Sequence, residues 1–329
     1  MCTAISMIGK DHYFGRNLDL TYHYSEAVTI TPRKYTLRFY DGQATDSHYA
    51  IIGIATIANG YPLYYDAVNE CGLGACALNF PGNAVYHNPQ DDRINIASFE
   101  FIPWILSQFS SLGGVKDALR MLNITNCQFS HEYSPTPLHW LIADRENSIV
   151  VEPTNSGLRV YDNPIRVLTN SPSFDYHLQN LTNYMNLTAE YPVNRFAHTI
   201  DLQPYSIGMG GIGLPGDLSS ASRFARAAFQ LHNAVLQETE THQVSQFFHI
   251  LKSVEQTEGC AMIDGKMEKT VYSSCCNTEK GIYYYTTYHN SRITSVDMHK
   301  ENLNGTALIS YPLRPESDIY QEYQSVSPQ

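Results

Sequence analysis

The sequence has no paired cysteine motif and no long apolar run. Its seven cysteines form neither a Cys-x-x-Cys pair nor a metal-ligand spacing, and its 13 histidines show no His-x-His or His-x-x-x-His pattern. No apolar stretch approaches the ~18 residues of a membrane-spanning helix, and the first residues lack the basic and apolar regions of a signal peptide. These absences argue against a zinc protein, an exported disulfide-rich protein and an integral membrane protein. They predict a cytoplasmic protein with reduced thiols.

Basic residues are also scarce. Lys and Arg number 21 against 32 Asp and Glu, so the formal net charge is -11. Nucleic-acid-binding proteins usually concentrate Lys and Arg on one surface, and anionic membranes attract the same residues. The balance therefore argues against nucleic-acid binding and against stable membrane association. No repeat, low-complexity tract or linker interrupts the 329 residues, and we expect one domain over 1–329.

Strand-like segments occur in meanders, and helical segments occur in blocks between them. Hydrophobic periodicity and turn residues predict strands at 3–8, 13–20, 49–57, 63–68, 73–80, 269–276, 282–288 and 292–298, with further short strands between 137 and 169. They predict helices at 97–110, 115–122, 173–185, 219–235 and 244–255, and an irregular stretch at 186–218. This order lacks the strict alternation of a parallel α/β fold. It predicts an α+β fold with two stacked antiparallel sheets covered by helices.

The first twenty residues predict a β-hairpin. A two-residue loop at Lys10-Asp11 would place Cys2 opposite Asp19, with their Cβ atoms ~5 Å apart on one face. Arg16 would then point to the other face, because side chains alternate along a strand. A bulge at Gly15 would re-aim Arg16, and the sequence leaves that alternative open.

The second residue of the chain is a cysteine. Methionine aminopeptidase removes Met1 when the next residue is small, and Cys2 qualifies. The product would carry a thiol and a free α-amine on one residue. An α-amine has a reference pKa of about 8 and can act as a base near neutral pH, while a thiolate is a strong nucleophile. On position alone, an ordinary N-terminal cysteine without a catalytic role is the more common case.

The neighbouring charged residues of the hairpin strengthen the catalytic interpretation. Asp19 could orient the α-ammonium or amine of Cys2, and Arg16 could stabilise the thiolate through its positive charge. The alternative is a surface Arg–Asp pair, which is common.

Three residues farther along the chain are further candidates. Asn79 and Asn170 end predicted strands, where an amide or a backbone N–H can bind a developing oxyanion. More often, such an asparagine caps the following turn or helix. Arg223 begins a predicted helix among small and apolar residues, although an arginine there is usually a solvated side chain.

Several short motifs in this order resemble the choloylglycine hydrolase family. The resemblance runs nearly end to end and rests on Met1-Cys2-Thr3, Phe14-Gly15-Arg16-Asn17-Leu18-Asp19, Asn69-Glu70-Cys71-Gly72-Leu73-Gly74, Leu78-Asn79-Phe80-Pro81, Leu168-Thr169-Asn170-Ser171-Pro172, Leu214-Pro215-Gly216-Asp217 and Ser274-Cys275-Cys276. A set of motifs in the right order is far more specific than any one of them.

The resemblance implies a four-layer αββα N-terminal-nucleophile fold and a homotetramer, with the irregular segment after Asn186 helping assembly. It implies a catalytic set of Cys2, Arg16, Asp19, Asn79, Asn170 and Arg223. The implied reaction is hydrolysis of glycine- or taurine-conjugated bile salts (glycocholate or taurocholate type) through a thioester, without a metal or an organic cofactor. Asn79 stands where penicillin V acylases tend to carry Tyr, which favours bile salts.

Two alternatives stay open at this point. The first is an acylase of the same family acting on penicillin V or on N-acyl homoserine lactones. The second is a non-catalytic steroid-binding module with an idle Cys2.

Overall fold

The computed structural model describes residues 1–131 and 133–322. The strands of its first half are β1 Cys2–Ile8, β2 His12–Leu20, β3 Ala27–Thr31, β4 Leu37–Arg38, β5 Ala44–Thr45, β6 Ile51–Ala58, β7 Tyr61–Asn69, β8 Gly74–Asn79, β9 Ile94–Ala97 and β10 Leu122–Thr125. Those of its second half are β11 Leu138–Ala143, β12 Ser148–Thr154, β13 Gly157–Asp162, β14 Val167–Leu168, β15 Met262–Ile263, β16 Lys266–Met267, β17 Lys269–Asn277, β18 Ile282–Thr287, β19 Asn290–Asp297 and β20 Ile309–Pro312. The α-helices are α1 Phe101–Gln108, α2 Leu112–Leu119, α3 Phe174–Leu181, α4 Ser220–Asn233 and α5 Glu240–Lys252.

Two large antiparallel sheets form the centre of the fold. The six-stranded sheet has the order β14-β1-β2-β17-β18-β19, and the eight-stranded sheet has the order β13-β12-β11-β8-β7-β6-β3-β20. The hairpin β1–β2 therefore lies inside its sheet, between β14 and β17. This position buries nearly every residue of both strands.

Helices cover the outer faces of both sheets. One core lies between the sheets and continues under α4 and α5, which pack on the six-stranded sheet. A second core joins the eight-stranded sheet to α1 and α2, with Phe101 stacked on Trp140 at 4.2 Å between ring centres. The layers run helix, sheet, sheet, helix. The predicted α+β arrangement of two stacked antiparallel sheets covered by helices is confirmed.

The predicted elements mostly exist, but several boundaries were wrong. The segment predicted as a helix over 97–110 begins as the end of β9 and becomes α-helical only at Phe101. Helix α5 begins four residues earlier than predicted, because the side chain of Thr239 accepts the N–H of His242 and caps it. Strands β3 and β20, which pair with each other at one end of the eight-stranded sheet, were not predicted.

The predicted register of the first hairpin was wrong by one residue. Cys2 pairs with Leu18 and Ile8 with His12, so the loop has three residues, Gly9 to Asp11. Tertiary contacts hold this loop: the Lys10 N–H donates to the side chain of Gln243 on α5 (3.1 Å), and a Cβ on Gly9 would lie 2.3 Å from the same side chain. Local turn residues carry no information about that helix.

The corrected register exchanges the faces of two candidate residues. Arg16 pairs with Ala4 and lies on the face of Cys2, toward the eight-stranded sheet, whereas Asp19 lies on the opposite face with Thr3. No bulge at Gly15 is needed, since Gly15 pairs regularly with Ile5. Gly15 instead permits close approach of β17, because a Cβ there would lie 2.1 Å from the backbone oxygen of Ser274.

None of the helices within the described residues is long and apolar enough to cross a membrane.

Candidate active site

Cys2 begins β1 and is buried, with 2% of its surface exposed while Met1 precedes it. The Met1 ammonium donates to the backbone oxygen of Asp19 (3.0 Å) and to the carboxylate of Glu268. Burial lowers the pKa of this ammonium, although the negative charge of Asp19 partly offsets the effect. The N-terminus is thus held inside the protein rather than in solvent.

Asn170 connects Cys2 to two other candidate residues. Its side-chain oxygen Oδ1 accepts the backbone N–H of Cys2 (2.7 Å) and the Nη2 of Arg223 (2.8 Å). Arg is a donor only, so the oxygen of the amide must face it, and Nδ2 must face the other way. Nδ2 donates to the backbone oxygen of Asn79 (2.8 Å). An amide NH2 has two hydrogens, which leaves Nδ2 a second one to offer.

The backbone N–H of Asn79 points to the same side of its strand as its carbonyl. Phe80 donates its N–H to Pro137 across the β8–β11 pair (2.7 Å), and Asn79 is opposite Leu138. Adjacent pairs in an antiparallel ladder alternate, so the N–H and C=O of Asn79 turn away from β11. Since the carbonyl meets Asn170, the N–H of Asn79 and the amide of Asn170 lie on one side and can act together.

Arg16 is fully buried and links the two sheets. Its Nη1 donates to the backbone oxygens of Ala77 and Tyr65 (the latter at 3.1 Å), while Nη2 has no hydrogen-bond partner among the described residues. Burial alone would lower the pKa of the guanidinium, but the negative potential of Cys2, Cys76 and Asp66 raises it well above its ordinary value. Arg16 therefore supplies a permanent positive charge next to Cys2.

Asp19 and Arg223 form a buried charged pair on the side of the hairpin that faces the helices. Arg223 Nη1 lies 4.0 Å from Asp19 Oδ2 and donates to the carbonyl of Cys2 and to Thr3 Oγ1 (2.6 Å). Thr270 donates to Asp19 Oδ1 (2.6 Å), whereas Oδ2 accepts no hydrogen bond from the part of the chain that the structure describes. Burial raises the pKa of Asp19, and the positive charge of Arg223 partly offsets it.

The six sequence-predicted residues thus lie near one another, but not in the predicted arrangement. Asn170, Arg223 and Asn79 are joined to Cys2 or to each other by hydrogen bonds, and Arg16 lies on the side of its thiol. Asp19 faces the backbone of residue 1 instead of Cys2, because the register differs by one residue.

Several buried partners of these residues were not predicted. Asp66 accepts the hydroxyls of Tyr272 (2.6 Å), Tyr283 and Ser274 (3.0 Å), and burial raises its pKa. A signal was present in the sequence, because Asp66 interrupts the apolar strand Tyr61–Asn69. A charged residue in the middle of a buried strand is rarely unpaired. The partners themselves come from β17 and β18, some 200 residues away, and no local pattern could identify them.

The described residues contain no group of three or more His, Cys, Asp or Glu side chains arranged to hold a metal ion. The chemistry that the site offers is that of a thiol, two amides, two arginines and a carboxylate. Such a set can attack a carbonyl with sulfur and bind the resulting oxyanion.

A family model for linear amide C–N hydrolases of the choloylglycine hydrolase family matches residues 2–311. The chain belongs to the choloylglycine hydrolase family. It is 55% identical over 321 residues to a bile salt hydrolase/transferase of Lactiplantibacillus plantarum, covering 97% of this chain and 99% of that protein. The family assignment made from the sequence motifs is confirmed.

Solved structures agree with this membership of the choloylglycine hydrolase family. A variant of the conjugated bile acid hydrolase from Clostridium perfringens superposes with a TM-score of 0.90 at 37% identity, covering 99% of this chain and 100% of that one. A penicillin V acylase from Agrobacterium tumefaciens, 18% identical, superposes with a TM-score of 0.74 over 94% of this chain and 90% of its own length. That second likeness concerns the fold alone. The predicted four-layer αββα N-terminal-nucleophile hydrolase fold is confirmed.

Proposed function

We propose that this protein hydrolyses the amide bond of glycine- or taurine-conjugated bile salts with Cys2 as an N-terminal nucleophile. The substrate class is supported by relatives that match nearly the whole chain and are bile salt hydrolase/transferases. The observation that carries the mechanism is the amide of Asn170, which accepts the N–H of Cys2 on one side and lies against Asn79 on the other. The side chain of Asn170 therefore connects the nucleophilic residue to the oxyanion donors by hydrogen bonds.

The first step forms a thioester between the substrate acyl group and Cys2. The sulfur attacks the amide carbonyl, and the α-amine of Cys2 takes the thiol proton. The same amine later gives that proton to the leaving glycine or taurine, so that a neutral amine departs. Water then cleaves the thioester and releases the free bile acid. No metal or organic cofactor enters these steps.

The tetrahedral intermediate carries a negative oxygen that needs donors already in place. We assign this role to the backbone N–H of Asn79 and the Nδ2 of Asn170. Loss of one such donor typically costs about 10²–10³-fold in kcat. Arg223 supports the arrangement indirectly, because its bond to Oδ1 keeps Nδ2 turned toward Asn79.

The charged residues set the electrostatics of the nucleophile. Arg16 lies on the face of Cys2, and its Nη2 has no hydrogen-bond partner in residues 1–131 and 133–322, so its charge stabilises a thiolate there. Asp19 Oδ2 is fully buried, pairs with Arg223 at 4.0 Å and accepts no hydrogen bond from the described residues. We propose that this oxygen orients the α-amine of Cys2 once Met1 has left.

Removal of Met1 is part of the proposal. With Met1 attached, the nitrogen of Cys2 is an amide without a basic lone pair. Glu268 and the Asp19 carbonyl bind the Met1 ammonium, and both become available when Met1 is removed.

We further propose that residues 1–329 form a single catalytic domain that assembles as a homotetramer in the cytoplasm. Supporting the single domain, β20 near the C-terminus pairs with β3, so distant parts of the chain share one sheet. Supporting assembly, large apolar side chains are exposed between 186 and 218, including Val193, Phe196, Tyr205 and Ile207. The concentration of exposed apolar side chains in one segment supports an interaction surface there.

A side-by-side assay tests the proposed function. We expect glycocholate and taurocholate to be hydrolysed with a much higher kcat/KM than penicillin V, with equimolar release of bile acid and amino acid. A higher kcat/KM for penicillin V would make the protein an acylase of the same family. Stoichiometric binding of bile salts without release of glycine or taurine would make it a steroid-binding module.

A further inference from the structure

His139 and Glu152 form a buried pair directly behind the two asparagines. Both side chains are completely inaccessible to solvent. His139 Nδ1 lies 3.2 Å from Glu152 Oε1, and the same oxygen accepts the N–H of Phe174 at 2.9 Å. Burying a histidine and a carboxylate costs folding free energy unless the two groups interact with each other. The mechanism above does not use either of them.

The ring of His139 touches the residue that precedes one asparagine. Its Nε2 lies 2.8 Å from the backbone oxygen of Thr169, which is the neighbour of Asn170. A carbonyl can only accept, so Nε2 must carry a hydrogen, and the ring donates to Thr169. With Nε2–H directed at Thr169 and Nδ1 beside Glu152, both ring nitrogens are engaged, and this fixes the plane of the ring.

The same ring touches the residue that follows the other asparagine. Phe80 stacks on His139 with ring centres 4.2 Å apart and planes only 8° from parallel. One flat side chain therefore contacts the residue after Asn79 by its face and the residue before Asn170 by its edge. The same two segments are also joined by the bond from Asn170 Nδ2 and, farther toward the surface, by Ser171 Oγ, which donates to the backbone oxygen of Pro81 (2.9 Å).

The far side of Asn170 is held independently. Its N–H donates to Ser220 Oγ (2.8 Å), and its carbonyl accepts from His177 Nε2 (2.9 Å). Burial lowers the pKa of His177 to about 4, so this ring is neutral at pH 7 and its single N–H is committed to Asn170. These bonds hold the position of residue 170, but they do not reach Asn79.

We propose that His139, oriented by Glu152, is a positioning residue that sets the spacing between the two oxyanion donors, Asn79 and Asn170. This inference rests on the proposed function, since it assumes that those two residues bind the oxyanion. His139 acts through its bond to the Thr169 carbonyl and its stacking on Phe80, and it does not touch the substrate.

Two substitutions of His139 distinguish its contact with Glu152 from its hydrogen bond to Thr169. In His139→Asn, the amide reaches the place of Nδ1 and can still meet Glu152. In His139→Gln, the amide reaches the place of Nε2 and can still donate to Thr169. Both variants lose the ring stacked on Phe80, so they are matched for that contact.

The readouts are kcat, KM and the rate at which iodoacetamide alkylates Cys2, followed on the N-terminal peptide. Alkylation needs the thiolate but no oxyanion site. We expect His139→Asn to lower kcat for glycocholate by roughly 30- to 100-fold, a large part of the value of one oxyanion donor. We expect His139→Gln to retain about tenfold more kcat than His139→Asn. KM should change by less than about threefold, and alkylation by less than about twofold, because the nucleophile and substrate pocket are untouched.

Equal kcat values for the two variants would overturn the inference, as would a loss of alkylation in step with kcat. If neither variant folds, Phe80→Leu tests the other face of the ring, with an expected fall in kcat and unchanged alkylation, and an unchanged kcat would overturn the inference. Wild-type protein and Cys2→Ala are assayed alongside. A wild type that releases no glycine would overturn the proposed function and this inference together, whereas an active wild type with equal variants would overturn the inference alone.

Discussion

The hairpin β1–β2 and the segment 186–218 place polar and apolar groups in opposite ways. The hairpin buries charged side chains completely, among them Arg16 and Asp19. Residues on other strands form hydrogen bonds with them. The segment exposes large apolar side chains, and its only described regular structure is the short 3-10 turn Met209–Gly211. Burying charge and exposing hydrocarbon are both costly.

The contrast indicates what each region is for. Charges kept in a dry site act over short distances without screening, which suits a nucleophile and an oxyanion. Apolar groups kept on a surface are stabilised only when another surface covers them, which suits assembly. The hairpin is therefore expected to control turnover, and the segment is expected to control the association of protomers.

The largest expected effect is at Cys2. Cys2→Ala should abolish hydrolysis of glycocholate, because the covalent path is lost, while the thermal unfolding temperature and bile salt affinity change little. Steady-state kinetics, calorimetry and ligand titration measure the three quantities. Cys2→Ser should also be very weak, since a hydroxyl is much harder to deprotonate. Residual turnover within tenfold of wild type would remove Cys2 from the mechanism.

Substitutions in the segment should show the reverse pattern. The double variant Phe196→Ser, Ile207→Ser removes two of its most exposed apolar side chains and should shift the protein from the proposed tetramer to smaller species in light scattering. The kcat per protomer should stay within about threefold of wild type, because both side chains are largely exposed and surface substitutions seldom disturb the rest of the fold. Ile319→Ser is the matched control, since Ile319 is equally exposed outside the segment. A control that dissociates as much as the double variant would break the comparison.

A smaller effect concerns acid stability of the hairpin. Burial lowers the pKa of His12 from 6.5 to about 3, and the charge of Arg166 adds to this. Between these values the unfolded chain binds a proton that the folded chain does not, so stability is complete above pH 6.5 and falls as the pH drops. From pH 7 to pH 5, His12 should account for about 2 kcal/mol of lost unfolding free energy.

His12→Gln tests this contribution by chemical denaturation at the two pH values. The variant should lose about 2 kcal/mol less than wild type over that interval. His198→Gln, the same substitution in the exposed segment, should keep the wild-type difference. An identical pH dependence in wild type and His12→Gln would show that the acid response arises elsewhere.

The sequence predicted the layers of the fold better than the geometry of the hairpin. Strands such as β6, β7 and β17 carry strong local patterns, and the blocks of helices and strands determine the four-layer order. The hairpin register depends on Gln243 of α5 packing against the loop, a contact that 230 residues of chain separate from the strands. The observed loop at this contact has three residues instead of the predicted two. As a result, Arg16 and Asp19 lie on the opposite faces from those predicted.

The same distinction applies to the site. Cys2, Asn79 and Asn170 were candidates because strand ends and the second position of a chain are visible in sequence; the structure joins them by hydrogen bonds, and their catalytic roles stay a prediction. Asp66, Glu152 and His139 interrupt apolar strands, which signals buried partners but does not identify them. Their partners come from other strands, and only the packed sheets bring them together.

The most direct test of the account concerns the α-amine of Cys2. Protein made in cells depleted of methionine aminopeptidase should retain Met1, and purified aminopeptidase then removes it in vitro. General-base assistance is typically worth about 10²–10⁴-fold, and Met1 also fills space beside Cys2. We therefore predict that the protein with Met1 is folded but nearly inactive, and that activity rises in proportion to the loss of one methionine in the intact mass. Full activity before any methionine is lost would contradict the account and leave Cys2 served by another base, with Asp19 the first to examine.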